Sequence, residues 1–243
     1  MNAILGFLAN IIAYPLRLIY MLVNDYGLSI ILLTLLVRLI MIPLYAKQIK
    51  YSAAMSDLQP KVQEIQKKYA RDKETMNIKK QELYSKEKVN PATGCLPLLI
   101  QMPIIMGLYQ LLRDPLAYMS DSLAMVSAVH ESFFWIPDLS QPDNWILPII
   151  AGITTYFTYV ATSSTAASTD QTAGMMNSMK YIFPVMIFAM GRSFSAGLAL
   201  YWAVGNVFTI IQTFILNNQR KTQKFKTMAR EEAMKNVKRE AAN

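Results

Sequence analysis

The chain has 243 residues, 53% of them hydrophobic against 16% charged, with a formal charge of +8, one cysteine and one histidine. Its mean hydropathy of +0.23 places it in the membrane class, and its basic residues are confined to particular segments, which argues against a DNA-binding surface. Cys95 has no partner for an internal disulfide, and neither it nor His130 has neighbours at metal-ligand spacing, so no metal or other cofactor is expected.

Residues 1–24 are apolar but lack a basic leading region and a small-residue cleavage site, so they read as a retained segment. Tyr14-Pro15, Arg17 and Asn24-Asp25 polarise the segment, which suggests an interfacial amphipathic helix on the outer surface; a sixth span is the alternative. Residues 25–46 form the first transmembrane helix. Residues 47–91 are polar, yet Met55, Leu58, Val62, Ile65 and Tyr69 recur at spacings of three and four. With a reversal at Arg71-Asp72-Lys73, this predicts a cytoplasmic helical hairpin, kinked or restarted near Pro60 and ending before Asn90-Pro91.

The second transmembrane helix spans 92–113, bent by Pro103. Residues 114–144 form an extracytoplasmic loop, with Phe133, Phe134 and Trp135 suited to the headgroup level. The third helix follows at 145–163, then a flexible loop rich in Ser, Thr and Ala at 164–174 and a fourth helix at 175–194. That helix has only about fourteen apolar residues after Lys180, which implies a locally thinned bilayer. The fifth helix covers 195–217, and 218–243 is a basic cytoplasmic tail, helical or disordered. Eleven Lys or Arg residues lie between Lys47 and Lys88 and eight between Arg220 and Arg239, whereas 114–143 holds five acidic residues and no basic one. By the positive-inside rule the hairpin and tail face the cytoplasm, and five spans put the N-terminus outside.

Arg38 lies roughly 16 Å along the first helix, near the middle of a hydrocarbon core of about 30 Å. Its guanidinium stays charged, and no carboxylate lies at membrane depth, since Asp25 stands at the very start of the first span. Two readings remain open at this point. One is a structural arginine satisfied by helix carbonyls or lipid phosphate; the other is a water-filled cavity whose occupant brings the negative charge. Thr34 shares its helix face, and Gln101, Thr154, Thr155, Thr158, Asn206 and Gln212 supply uncharged polar groups at comparable depth. Such residues also serve simply to join helices. Trp202 reads as a wall of the bundle, and Gly197 and Gly205 as positions of close helix packing. No nucleophile with a base, paired carboxylates or phosphate loop is present, so an enzyme is not expected.

The run from Arg38-Leu39-Ile40-Met41-Ile42-Pro43-Leu44 through Met55-Ser56-Asp57-Leu58-Gln59-Pro60, Val89-Asn90-Pro91, Gly94-Cys95-Leu96-Pro97, Ile100-Gln101 and Pro103-Ile104 resembles the YidC/Oxa/Alb family of membrane protein insertases. So does Ser195-Ala196-Gly197-Leu198-Ala199-Leu200-Tyr201-Trp202, with Asn206 and Gln212 after it. The resemblance implies an all-α polytopic protein, five helices around a hydrophilic groove centred on Arg38, in the short bacterial form without a large periplasmic domain. It implies insertion and folding of membrane proteins without nucleotide hydrolysis, with Arg38, Thr34, Gln101, Trp202, Asn206 and Gln212 at the substrate groove. The partners it implies are nascent membrane proteins, membrane lipids, the ribosome through the basic tail and the general secretion channel, in a bacterial plasma membrane. A small-anion or lipid transporter is the alternative that a central arginine also fits.

Overall fold

The computed structural model describes residues 2–90, 96–114, 117–118, 123–163 and 170–240. Among these, regular structure is helical throughout, apart from one isolated bridge between Phe133 and Ile136. Cys95, Pro91 and the loop residues 164–169, about which the sequence makes expectations, lie outside the described residues.

Helix α1 (Asn2–Val23) buries Ala9, Ala13, Leu16 and Tyr20, spaced by three and four, against its neighbours. Its other face carries Phe7, Ile11, Tyr14, Leu18, Met21 and Leu22, all exposed and none charged. Its Leu5–Val23 portion is 19 residues long and apolar enough to cross a membrane. An amphipathic surface helix would turn a polar face to water. Arg17 is the single charge of this helix, so by composition it suits a sixth span as well as an interfacial position.

Helix α2 (Tyr26–Ile40) starts at Asp25, whose carboxylate accepts from the Leu28 amide at 2.8 Å, a standard N-cap. The expected first span is not straight. Pro43 sits in the first turn of helix α3 (Ile42–Lys68), where it removes a backbone donor and clashes with the preceding turn, and the chain bends by 53° at Met41. Helix α3 then runs through Pro60 into the hairpin, so the chain does not restart there; Pro60 lies on the exposed face. Asp72 caps helix α4 (Lys73–Lys86) by accepting from Thr75 N at 3.0 Å, which places the reversal where the charged triplet predicts it. Leu58, Val62 and Met76 are buried in the hairpin.

Helix α5 (Leu96–Arg113) packs along α1. The short α6 (Leu123–Ala128) leads into the long loop, followed by α7 (Ile146–Ser163), α8 (Asp170–Gly191) and α9 (Ala196–Glu240). Helix α9 packs on α7 and α2, and α7 on α8. Its backbone is helical from the bundle through most of the basic tail, 45 residues in all. A helix stands at each of the five expected spans. By length and composition Ala196–Gln219 reaches membrane thickness, as α2 does when joined to Ile42–Gln48 across the bend. Helices α7 and α8 run for 18 and 22 residues, about 27 and 33 Å at 1.5 Å per residue, so helix length alone does not make the fourth span short.

The loop after α6 closes one end of the bundle. Val129, Ile136 and Leu139 are buried with Ile30, Leu33, Leu111 and Tyr201 in the core cluster. The Glu131 carboxylate accepts from the Tyr26 amide at 2.7 Å and from the Tyr20 hydroxyl. Ala196 N and Gly197 N donate to Gln141 O at 2.8 Å and Leu139 O at 2.9 Å. Amides in the first turns of α2 and α9, which no helix can satisfy internally, are thus met by the loop. The Phe133 ring lies directly on Gly27, where a Cβ would come within 2.3 Å of it.

Asp143 joins this loop to α7, accepting from the Trp135 indole at 3.0 Å, Leu147 N at 2.9 Å and Trp145 N at 3.1 Å. Burial alone would raise its pKa, but those hydrogen bonds outweigh burial and hold the carboxyl below its ordinary 3.8. A depressed carboxyl contributes stability that is present above its unfolded pKa and lost as pH falls through the folded one. Acid titration of detergent-solubilised protein should therefore change Trp fluorescence below pH 3.8, and Asp143→Asn should remove that transition.

Candidate functional site

The centre of the bundle is built around Arg38, in the last turn of α2 and only 6% exposed. Its Nη1 donates to the Tyr45 hydroxyl at 2.8 Å. Its Nη2 fits where α9 has no side chain, since a Cβ on Gly205 would lie 2.5 Å away. Gly205 therefore permits close packing as the sequence suggests, but what it admits is the guanidinium. The Nε atom has no partner, and no carboxylate pairs with Arg38 among the described residues. A buried charge with an unmet donor costs several kcal/mol in general, about 1–3 for the donor alone. The site is thus electrostatically incomplete and lacks one acceptor.

The other sequence-chosen residues separate into distinct roles. Thr34 is fully buried one turn from Arg38, but its hydroxyl donates to Ile30 O at 2.7 Å on its own helix. Gln101 donates from Nε2 to the Tyr201 hydroxyl at 3.0 Å, tying α5 to α9; both Arg38 and Tyr45 lie within electrostatic reach of Tyr201. Trp202 and Asn206 turn toward α7. The Trp202 indole donates to Thr155 Oγ1 at 2.9 Å, and Asn206 Nδ2 donates to Thr155 Oγ1 at 2.8 Å and Thr154 Oγ1 at 3.2 Å. Thr158 returns a bond to Asn206 O at 3.3 Å. These contacts knit α7 to α9. Trp202 also walls an apolar pocket shared with Ile105, Ala151, Ile187, Phe194 and Leu198.

Gln212 lies two turns beyond Gly205 on the same face of α9, buried, with neither amide atom partnered. Together with Arg38 Nε it leaves unmet polar groups on the facing helices α2 and α9. The sequence reading overlooks Tyr45. Its spacing of seven from Arg38 is a signal of a shared face, but the Met41 bend hides it.

Among the described residues, Tyr45 and the Gly205 face of α9 cover most of the guanidinium. Among the described residues no three of His, Cys, Asp and Glu converge as metal ligands would.

Residues 18–224 match the profile of the family described as 60Kd inner membrane protein. The chain is 39% identical over 98% of its length to Membrane protein insertase YidC 1 of Listeria monocytogenes, covering 82% of that protein. It is 41% identical over 79% of its length to Membrane protein insertase MisCA of Bacillus subtilis, covering 70% of it. Among solved structures it resembles an active YidC insertase crystal structure with the first transmembrane domain resolved, with a TM-score of 0.59 and 31% identity. That similarity covers 83% of this chain and 44% of the other.

Thr155 is the shared acceptor of the α7–α9 network and is itself buried. Thr155→Val, nearly isosteric, leaves the Trp202 and Asn206 donors short of a partner and should destabilise the protein by about 1–3 kcal/mol. Thermal unfolding in detergent measures this; an unchanged midpoint would show the network to be dispensable.

Proposed function

The chain belongs to the YidC membrane protein insertase family, and from that premise we propose that it inserts client segments by drawing their polar tails to Arg38 in a groove between α2, α5 and α9. It is a multi-pass bacterial membrane protein and performs no covalent chemistry. The observation that carries the proposal is the buried Arg38 guanidinium, uncompensated by any described carboxylate and with Nε unmet. The clients are nascent membrane proteins with a short acidic tail next to an apolar segment.

The steps follow from charge and hydrophobicity. The hairpin α3–α4 and the basic end of α9 face the cytoplasm, because Lys and Arg concentrate there. The loop end, shut by Glu131, Leu139 and Gln141, faces outward. A client therefore enters from the hairpin side. Its acidic tail meets Arg38 away from bulk water, where attraction is far stronger than at ε near 80. Transfer of the apolar segment into lipid then supplies about 25 cal/mol per Å² of buried apolar surface, so no nucleotide is needed. The short apolar run after Lys180 in α8 thins the membrane beside the groove and shortens the polar tail's path.

Thr34, Gln101, Trp202, Asn206 and Gln212 shape this groove in different ways. Gln212 offers an unpartnered amide to the passing chain, while Trp202 and Asn206 hold the α7 wall in place. The basic tail suits ribosomal RNA and anionic lipid alike. The secretion channel is a further candidate partner.

Reconstituted protein supplied with a single-span client bearing an acidic tail should shield that tail from external protease. Arg38→Ala should lower this protection about tenfold or more, the scale of a lost charge-assisted hydrogen bond. Arg38→Lys should retain a substantial part. Full protection by Arg38→Ala would refute the attraction, and flux of small anions without any client would favour a transporter instead.

A further inference from the structure

Tyr45 occupies the Arg38 site without completing it. Its hydroxyl accepts from Nη1 at 2.8 Å, Nε is left unmet, and Nη2 rests in the Gly205 notch. A phenol gives a guanidinium one neutral acceptor. A carboxylate gives two charged oxygens at the spacing of the guanidinium fork, and such bonds are about twice as strong as neutral ones. The resident hydroxyl is therefore weaker than an acidic group and comparable to a serine or asparagine.

Tyr45 is also mounted so that it can leave. It lies in the first turns of α3, beyond the 53° bend at Met41, and α3 continues unbroken into the hairpin. Arg38 and its Gly205 notch belong instead to α2 and α9 in the bundle. Pro43 stands between the two residues and weakens the helical ladder at the bend. A small rotation of α3 about that point withdraws the hydroxyl while the Asp25 cap of α2 and the α2–α9 packing stay in place.

We propose that Tyr45 is a specificity-determining residue for insertion, a resident occupant of Arg38 that charged tails displace and neutral polar tails do not. The inference rests on the insertase reading above. A neutral tail exchanges one uncharged acceptor for another and gains no charge at Arg38. An acidic tail gains charge and a second hydrogen bond, with Nε as the waiting donor. Specificity arises by penalising the competitor as much as by favouring the client.

The test uses the full chain in liposomes and two single-span clients that differ only in Asp or Asn at the tail. Tyr45→Phe removes the hydroxyl and keeps the ring, whose centroid lies 5.9 Å from the guanidinium carbon. Protection of the Asn tail should rise, and the Asp-to-Asn ratio should fall about threefold or more, the lower scale of one net hydrogen bond. Tyr45→Leu should move the ratio in the same direction. An unchanged ratio in Tyr45→Phe, an equal loss for both tails, or a change in Tyr45→Leu alone would overturn the proposal. Unsubstituted protein that protects neither tail would instead remove the insertase reading itself.

Discussion

A permanent cation held inside a helical bundle with no carboxylate partner among the described residues is the constraint on which the arrangement turns. Arg38 cannot lose its proton, so the protein must either neutralise it or leave it incomplete. It does the second. Gly205 gives the guanidinium space, Tyr45 gives it one neutral acceptor, and Nε receives none. An apolar residue at this position would pack more cheaply. The surrounding helices carry that cost through their burial, and under the proposed function the benefit is a site whose remaining demand a client meets.

The closed end of the bundle gives this demand a direction. Helix N-termini need acceptors, and the loop supplies them to α2 from Glu131 and to α9 from Leu139 and Gln141. The same loop buries Val129, Ile136 and Leu139 in the core. Polar capping and apolar packing thus act on one segment, so this end cannot open without losing both. At the other end α3 leaves the bundle through a proline bend and continues as an exposed hairpin arm. Stability is concentrated on one side of Arg38 and freedom on the other, the distribution expected where a moving element serves a binding site.

Much of this is legible in the residues. Apolar runs place a helix at each expected span, and the charged triplet Arg71-Asp72-Lys73 marks the hairpin reversal. Arg38 is conspicuous because a charge in an apolar run has no cheap explanation. What escapes is partnership. Periodicity reports which face of a helix a residue occupies but not what stands opposite. Trp202 and Asn206 were therefore grouped with Arg38, although their hydrogen bonds go to Thr154 and Thr155 on α7. Tyr45 was missed because a bend of 53° turns a neighbouring helix back over the preceding one. The uninterrupted α3 shows a related limit: Pro60 costs one hydrogen bond on an exposed face, and packing of Leu58 and Val62 holds the helix through it. In α1 the exposed face carries Phe7, Ile11, Tyr14, Leu18, Met21 and Leu22, which suit lipid at the interface and within it alike.

Charge exchange between protein and client tests the central role of Arg38 most directly. Tail protection is measured for Arg38→Glu with a client whose acidic tail residues are replaced by lysine, beside both matched and mismatched pairs. Electrostatic pairing requires protection in the two opposite-charge pairs and its loss in the two like-charge pairs. If Arg38→Glu fails equally with both clients, or the unsubstituted protein protects acidic and basic tails alike, the guanidinium does not act by attraction.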